Sequence, residues 1–183
     1  MKSMRVKFLL VAAISCLTTV LVAGTARVGA QAAKDAGASG AVLLTVKGVV
    51  QQELQLTAAN FRELPRLHVT AKDHDSAMHE YEGVALPVLL AKAGVPASGD
   101  LRGKNMTLAV VAEAGDGYRA AFSLAEMDGD FAGETVAVVD TVDGKALGAG
   151  QGPLRLVVPG DKRQGRWVRM LKAITVVDTS AAK

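Results

Sequence analysis

The sequence predicts a sheet-rich, mixed α+β fold of about seven strands with three short helices, and three observations carry that reading. Apolar runs of strand length and strand period recur from Ala41 to the C-terminal region. Helical stretches are few and brief, and each has its own start or stop signal. Strands and helices follow no regular alternation, and no internal repeat stands out.

Val42 to Val49 opens the fold as a strand, and Glu53 to Leu56 continues it or pairs with it. Thr57 is placed to cap a short helix with Phe61 and Leu64 on its inner side, and Pro65 ends that helix. Leu67, Val69 and Ala71 then alternate with polar residues, the period of a half-buried strand. The polar segment Lys72 to Ser76 separates this strand from an extended run, Met78 to Glu82. Gly83-Val84 leads into a helix over Leu86 to Ala93, with Pro87 in its first turn and Gly94 as its stop. Met106 to Ala112 forms the next strand, Gly115-Asp116-Gly117 a tight turn, and Tyr118 to Phe122 the returning partner. Ser123 caps a helical turn over Leu124 to Met127, Thr135 to Asp140 is an apolar strand, and Asp143-Gly144 turns a short hairpin. The close is two buried strands: Leu154 with Leu156 to Val158, then a run opened by Trp167 and ending at Val177. A Pro159-Gly160 turn and a basic loop (Lys162, Arg163, Arg166) join them.

The first 30 residues read as a secretory signal peptide. Lys2, Arg5 and Lys7 precede the apolar stretch Phe8 to Ala23, and Val28 and Ala30 fall at cleavage spacing. An uncleaved anchor is the alternative, although about 16 residues is short of the ~20 needed to span a bilayer. A lipid attached at Cys16 is a third reading, but Ala13-Ile14-Ser15 matches that signal poorly. Residues 31–40 read as a flexible lead-in, 41–178 as one domain and 179–183 as a tail. The expectation is an exported, periplasmic protein that does not span the membrane once processed.

Charge and cysteine content follow from that processing. The 183 residues carry 21 Lys and Arg against 18 Asp and Glu. Residues 1–30 hold four of those cations and no acid, so the remainder has 17 basic and 18 acidic residues and a net charge of −1. The basic balance belongs largely to the export segment, and a nucleic-acid partner is not expected. The single cysteine, Cys16, lies there too, which leaves the processed chain without a disulfide, a thiolate metal ligand or a cysteine nucleophile.

Charge is nevertheless uneven, with six cations from Arg155 to Lys172 against Asp161 alone. Arg119, Lys162, Arg163, Arg166 and Arg169 are candidates to surround a phosphate, sulfate or carboxylate, and Tyr118 to line the same cleft. The bland reading is a solvated loop balanced by the acidic Glu126 to Glu134 stretch, with Trp167 packed as core. The histidines His68, His74 and His79 fall close together among Asp73, Asp75, Glu80 and Glu82. If Asp73 to Ser76 turns, Thr70 faces His79 and His68 lies diagonally, ~7–8 Å away. His68, His79 and Glu82 are then candidates for one zinc or copper ion, although their spacing matches no standard site. Serine-hydrolase, calcium-loop and dinucleotide signatures are absent.

Three segments occur in a telling order: Tyr81-Glu82-Gly83-Val84-Ala85-Leu86, Gly115-Asp116-Gly117-Tyr118-Arg119 and Gly152-Pro153-Leu154-Arg155-Leu156-Val157. Together they resemble the oxidoreductase molybdopterin-binding domain family, the domain shared by sulfite oxidase and plant-type nitrate reductase. The resemblance covers about residues 42–178. It implies a sulfite oxidase-like fold, molybdopterin as cofactor, and the basic closing loop near that cofactor. It also implies a cysteine thiolate on molybdenum just after the strand that follows the Leu-Pro helix. The matching stretch here, Thr70 to Ser76, contains no cysteine. The leading expectation is thus a molybdopterin-binding-like domain acting as a non-catalytic ligand-binding or accessory module of the cell envelope. Its cationic cleft would take a small anionic ligand, and its partner would be an envelope redox or signalling protein. The alternatives are a molybdopterin-dependent oxidoreductase with an unconventional metal ligand (Asp73, His74 or Ser76) and a scaffold with no ligand pocket.

Overall fold

The structure, a computed structural model, describes residues 40–133 and 135–181. The expected signal peptide and all but the last residue of the lead-in lie outside them. In chain order the elements are β1 (Val42–Gly48), β2 (Leu54–Thr57), α1 (Ala58–Arg62), β3 (Leu67–Lys72), β4 (Met78–Ala85) and α2 (Leu86–Lys92). There follow β5 (Leu108–Ala114), β6 (Arg119–Ser123), β7 (Ala137–Val142), β8 (Lys145–Ala146), β9 (Arg155–Val157) and β10 (Leu171–Asp178). The α+β class predicted from sequence is the class observed. None of the described helices is long and apolar enough to cross a membrane.

The strands form two sheets. One has the order β2-β1-β10-β5-β6, and the other runs β3-β4-β7-β8 with β9 also paired to β7. β1 and β10 are parallel, with Thr45 opposite Ala173, so almost the whole domain lies in the connection between them. Within β5 the strict alternation buries Leu108, Val110, Ala112 and Ala114 on one face. A single apolar cluster draws Leu44 and Val46 from the first sheet and Val84 and Val138 from the second, with Phe61 and Leu89 from the helices.

Local chemistry explains the helix ends. Thr57 Oγ1 accepts the backbone N–H of Asn60 at 3.3 Å and starts α1. Pro87 sits in the first turn of α2, and Gly94 follows it at φ 74°, in the left-handed region.

Four expectations require correction, and a fifth is made more specific. The strand expected from Met106 begins at Leu108, because Gly103–Thr107 is a 3-10 turn closed by Thr107 Oγ1 on the Lys104 carbonyl at 2.8 Å. The helical turn expected over Leu124 to Met127 forms there, as a 3-10 turn held by a Ser123/Glu126 capping box. The run from Met78 does not stop at Glu82: β4 continues through Gly83, which lies against β7. A Cβ at Gly83 would stand 2.1 Å from the Val138 carbonyl oxygen, so only glycine permits this approach. Across the β3–β4 hairpin, Ala71 rather than Thr70 faces His79, because Ser76 adds a left-handed residue (φ 67°) to the turn. Finally, the runs flanking the basic loop enter different sheets. β9 pairs with β7, whereas β10 lies between β1 and β5, and only bonds such as Leu156 N–H to the Val168 carbonyl (2.8 Å) link the two runs.

Candidate ligand cleft

A cleft of about 400 Å³ opens among the β3–β4 turn, the β5–β6 turn and the segment crossing from β9 to β10. His74, Asp116, Tyr118, Arg155, Trp167 and Arg169 line it, with Gly150, Gln164, Gly165 and Met170.

Its base is a charged lock. Asp73 is the first residue of the β3–β4 turn, where its N–H donates to the Ala77 carbonyl at 3.0 Å and its carbonyl accepts from Ser76 N–H. Asp75 supports the same turn by accepting the N–H of Ala77 at 2.8 Å. Thus fixed, the Asp73 carboxylate accepts Arg155 Nη1 at 2.7 Å and Nη2 at 3.0 Å. It also accepts the Tyr81 hydroxyl at 2.6 Å and the N–H of His74 at 2.7 Å. The Arg155 guanidinium lies over the rings of Tyr81 (5.7 Å) and Trp167 (5.0 Å), which meet edge to face at 5.9 Å. Trp167 is itself fixed by Nε1–H on the Val158 carbonyl at 3.0 Å.

Burial makes this lock consequential. The Arg155 side chain is 3% exposed and that of Asp73 16%. Hydrogen bonding from Arg155 holds the Asp73 carboxyl well below the usual carboxylate range, outweighing its desolvation. Burial, then the bond to Asp73, pushes the Tyr81 phenol well above its ordinary value, so it remains a donor. Arg155 Nε is buried with no hydrogen-bond partner among the described residues.

The sequence-predicted cations divide. Arg169 lines the cleft. Arg166 is 39% exposed and neutralised, donating to Asp161 at 2.6 and 3.0 Å and to Glu126 at 2.6 Å. Those bonds, Asp161's first, raise its pKa. Arg119 pairs with Glu113 across β5–β6 at 2.9 Å and is 65% exposed. Lys162 and Arg163 are exposed and are not among the residues lining the cleft. The balance with the acidic stretch therefore holds for Arg166, and the cleft carries fewer cations than the sequence suggested. Tyr118 does line it, its hydroxyl donating to the Gly165 carbonyl.

The metal candidates are not brought together. His68 and Glu82 are cross-strand partners on one face of the β3–β4 pair, where His68 bonds Glu80 at 2.9 Å and Glu82 takes Arg66 Nε at 2.9 Å. His79 projects from the opposite face, beside Tyr81. Its Nδ1 lies 2.6 Å from Asp143 and its Nε2 2.9 Å from Asp75, which together raise its pKa, Asp143 contributing most. Among the described residues no three His, Cys, Asp or Glu side chains are grouped to hold a metal ion.

Arg155 was missing from the sequence candidates, although a signal existed. It is the one charge inside the apolar run Leu154 to Val158, and a buried strand cannot hold an unpaired cation. Its partner lies 82 positions earlier.

Two sheets thus share one core, and a polar cleft opens where the β9–β10 crossing meets two turns. The sequence profile described as oxidoreductase molybdopterin binding domain matches residues 38–183, and the chain belongs to that family. Among solved structures, the sulfane dehydrogenase SoxCD from Paracoccus pantotrophus is similar, with 24% identity and a TM-score of 0.60. The match covers 76% of this chain and 39% of that one, and at this identity it concerns the fold alone. No curated protein matches the chain.

The family implies molybdopterin with its molybdenum, and the donor set tests that implication. Residues 40–181 contain no cysteine. In the segment where the family resemblance puts the thiolate, the Asp73 oxygens are already taken by Arg155, Tyr81 and the N–H of His74, and Asp75 is taken by His79 and the N–H of Ala77. A hydrogen-bonded carboxylate is a poor substitute for a soft, deprotonated sulfur. The residues present do not fit a thiolate-held molybdenum centre.

Proposed function

We propose that this chain is an exported, non-catalytic member of its family, a ligand-binding or accessory module of the cell envelope whose cleft takes the anionic group of a small molecule. The observation that carries the reading is the buried Asp73–Arg155 ion pair, which engages the carboxylate in the segment where the family resemblance puts the thiolate. The exposed Arg169 on the cleft wall supports the anion subsite. Export rests on the sequence of residues 1–30. An envelope redox or signalling protein is the partner this reading anticipates.

The test is metal and ligand analysis of the exported chain. Substoichiometric molybdenum, with thermal stabilisation by small carboxylates or oxoanions that Arg169→Gln abolishes, supports the reading. One tightly held molybdenum per chain with pterin fluorescence, and turnover lost in His74→Ala, would replace it with an oxidoreductase using an unconventional ligand.

A further inference from the structure

We propose that the cleft's ligand is a zwitterion of the amino-acid type, an inference that rests on the ligand-binding function above and specifies its substrate class. The charges on the cleft wall carry the argument. Arg155 is neutralised by Asp73, which leaves Arg169 and Asp116 as the unpaired formal charges on the lining. Neither forms an ion pair among the described residues, although both border the same cavity. A pure anion would be drawn to Arg169 and repelled by Asp116. A ligand bearing one charge of each sign satisfies both.

The hydrogen-bonding atoms point the same way. For the carboxylate end there is the Arg169 guanidinium, exposed on the cleft wall. For the ammonium end there is Asp116. Its Oδ1 accepts the N–H of Tyr118 at 3.0 Å and so fixes the side chain, while Oδ2 is left to receive a cation. The rings of Tyr118 and Trp167 and the Met170 side chain supply apolar wall for a side chain between the two charges. A volume of about 400 Å³ suits one small molecule rather than a peptide chain.

The experiment is calorimetric titration of the exported chain with L-phenylalanine, N-acetyl-L-phenylalanine, which keeps only the negative charge, and L-phenylalanine amide, which keeps only the positive. The free amino acid is expected to bind about tenfold more tightly than either, the size of one lost charged hydrogen bond. Asp116→Asn retains the turn-capping oxygen and should bring the free and acetylated forms to equal affinity. Arg169→Gln should weaken both by about tenfold. Equal binding of free and acetylated forms to the unaltered chain overturns the zwitterion and leaves the anion subsite standing. If none of the three binds and simple carboxylates also fail to stabilise the fold, the ligand-binding function fails with it.

Discussion

Arg155 and Arg166 are each held by an aspartate through two nitrogens, and each lies over aromatic rings, Tyr81 and Trp167 for one and Phe122 for the other. The first is 3% exposed and the second 39%. The first ties the β3–β4 turn to β9 and forms the base of the cleft. The second ties the crossing segment to itself and to the Leu124–Met127 turn. Identical chemistry therefore organises a site in one place and trims a surface in the other. Burial makes the difference, because a buried charge that loses its partner has no water to replace it.

The largest effect expected is that of Asp73→Ala. Leaving the Arg155 cation buried and unpaired should cost about 3 kcal/mol or more of unfolding free energy, read by urea denaturation. Adding Arg155→Met should recover much of that loss, and a single-variant cost under about 1 kcal/mol would break the contrast with Arg166. Acid probes the same pair without mutation. The Asp73 carboxyl is depressed when folded, so its contribution is complete above the ordinary carboxylate pKa, near 4, and is lost as pH falls through its lower folded value. Melting temperature should therefore drop below about pH 4, and Asp73→Asn should flatten that limb.

Arg166→Ala should cost about 1 kcal/mol or less, because its ion pairs are half-exposed and screened, and 1 M salt should shrink the difference further. The smallest effect belongs to His79. Both ring nitrogens meet carboxylates, an arrangement that needs the imidazolium, since only that form donates from both. Its folded pKa is raised, so its contribution is whole below the ordinary histidine value, near 6.5, and fades as pH rises through the folded pKa. His79→Gln should remove that alkaline decline while leaving the acid limb of Asp73 intact.

Strands were legible because their signal is local. The alternation in Leu67, Val69 and Ala71 names its own face, and the apolar runs of β5 and β7 mark buried strands. Arg155 illustrates the limit: the apolar run around it announces burial, while the carboxylate that permits burial sits in a turn far away in sequence. Register failed for a smaller reason. Ser76 occupies a left-handed conformation that usually calls for glycine, so nothing marked the extra turn residue that set Ala71 opposite His79. The cation block misled because sequence shows charge without direction. Arg166 and Arg169 are three positions apart, yet only Arg169 lines the cleft.

Gly83 bears on what the tetrapeptide Tyr81-Glu82-Gly83-Val84 signifies. Its missing side chain answers to a carbonyl oxygen on the neighbouring strand, and that demand is the same whatever molecule the domain holds. Such a signature certifies how two backbones cross and is silent about reactivity. The residues that line the cleft, not this glycine, are where a ligand would be chosen.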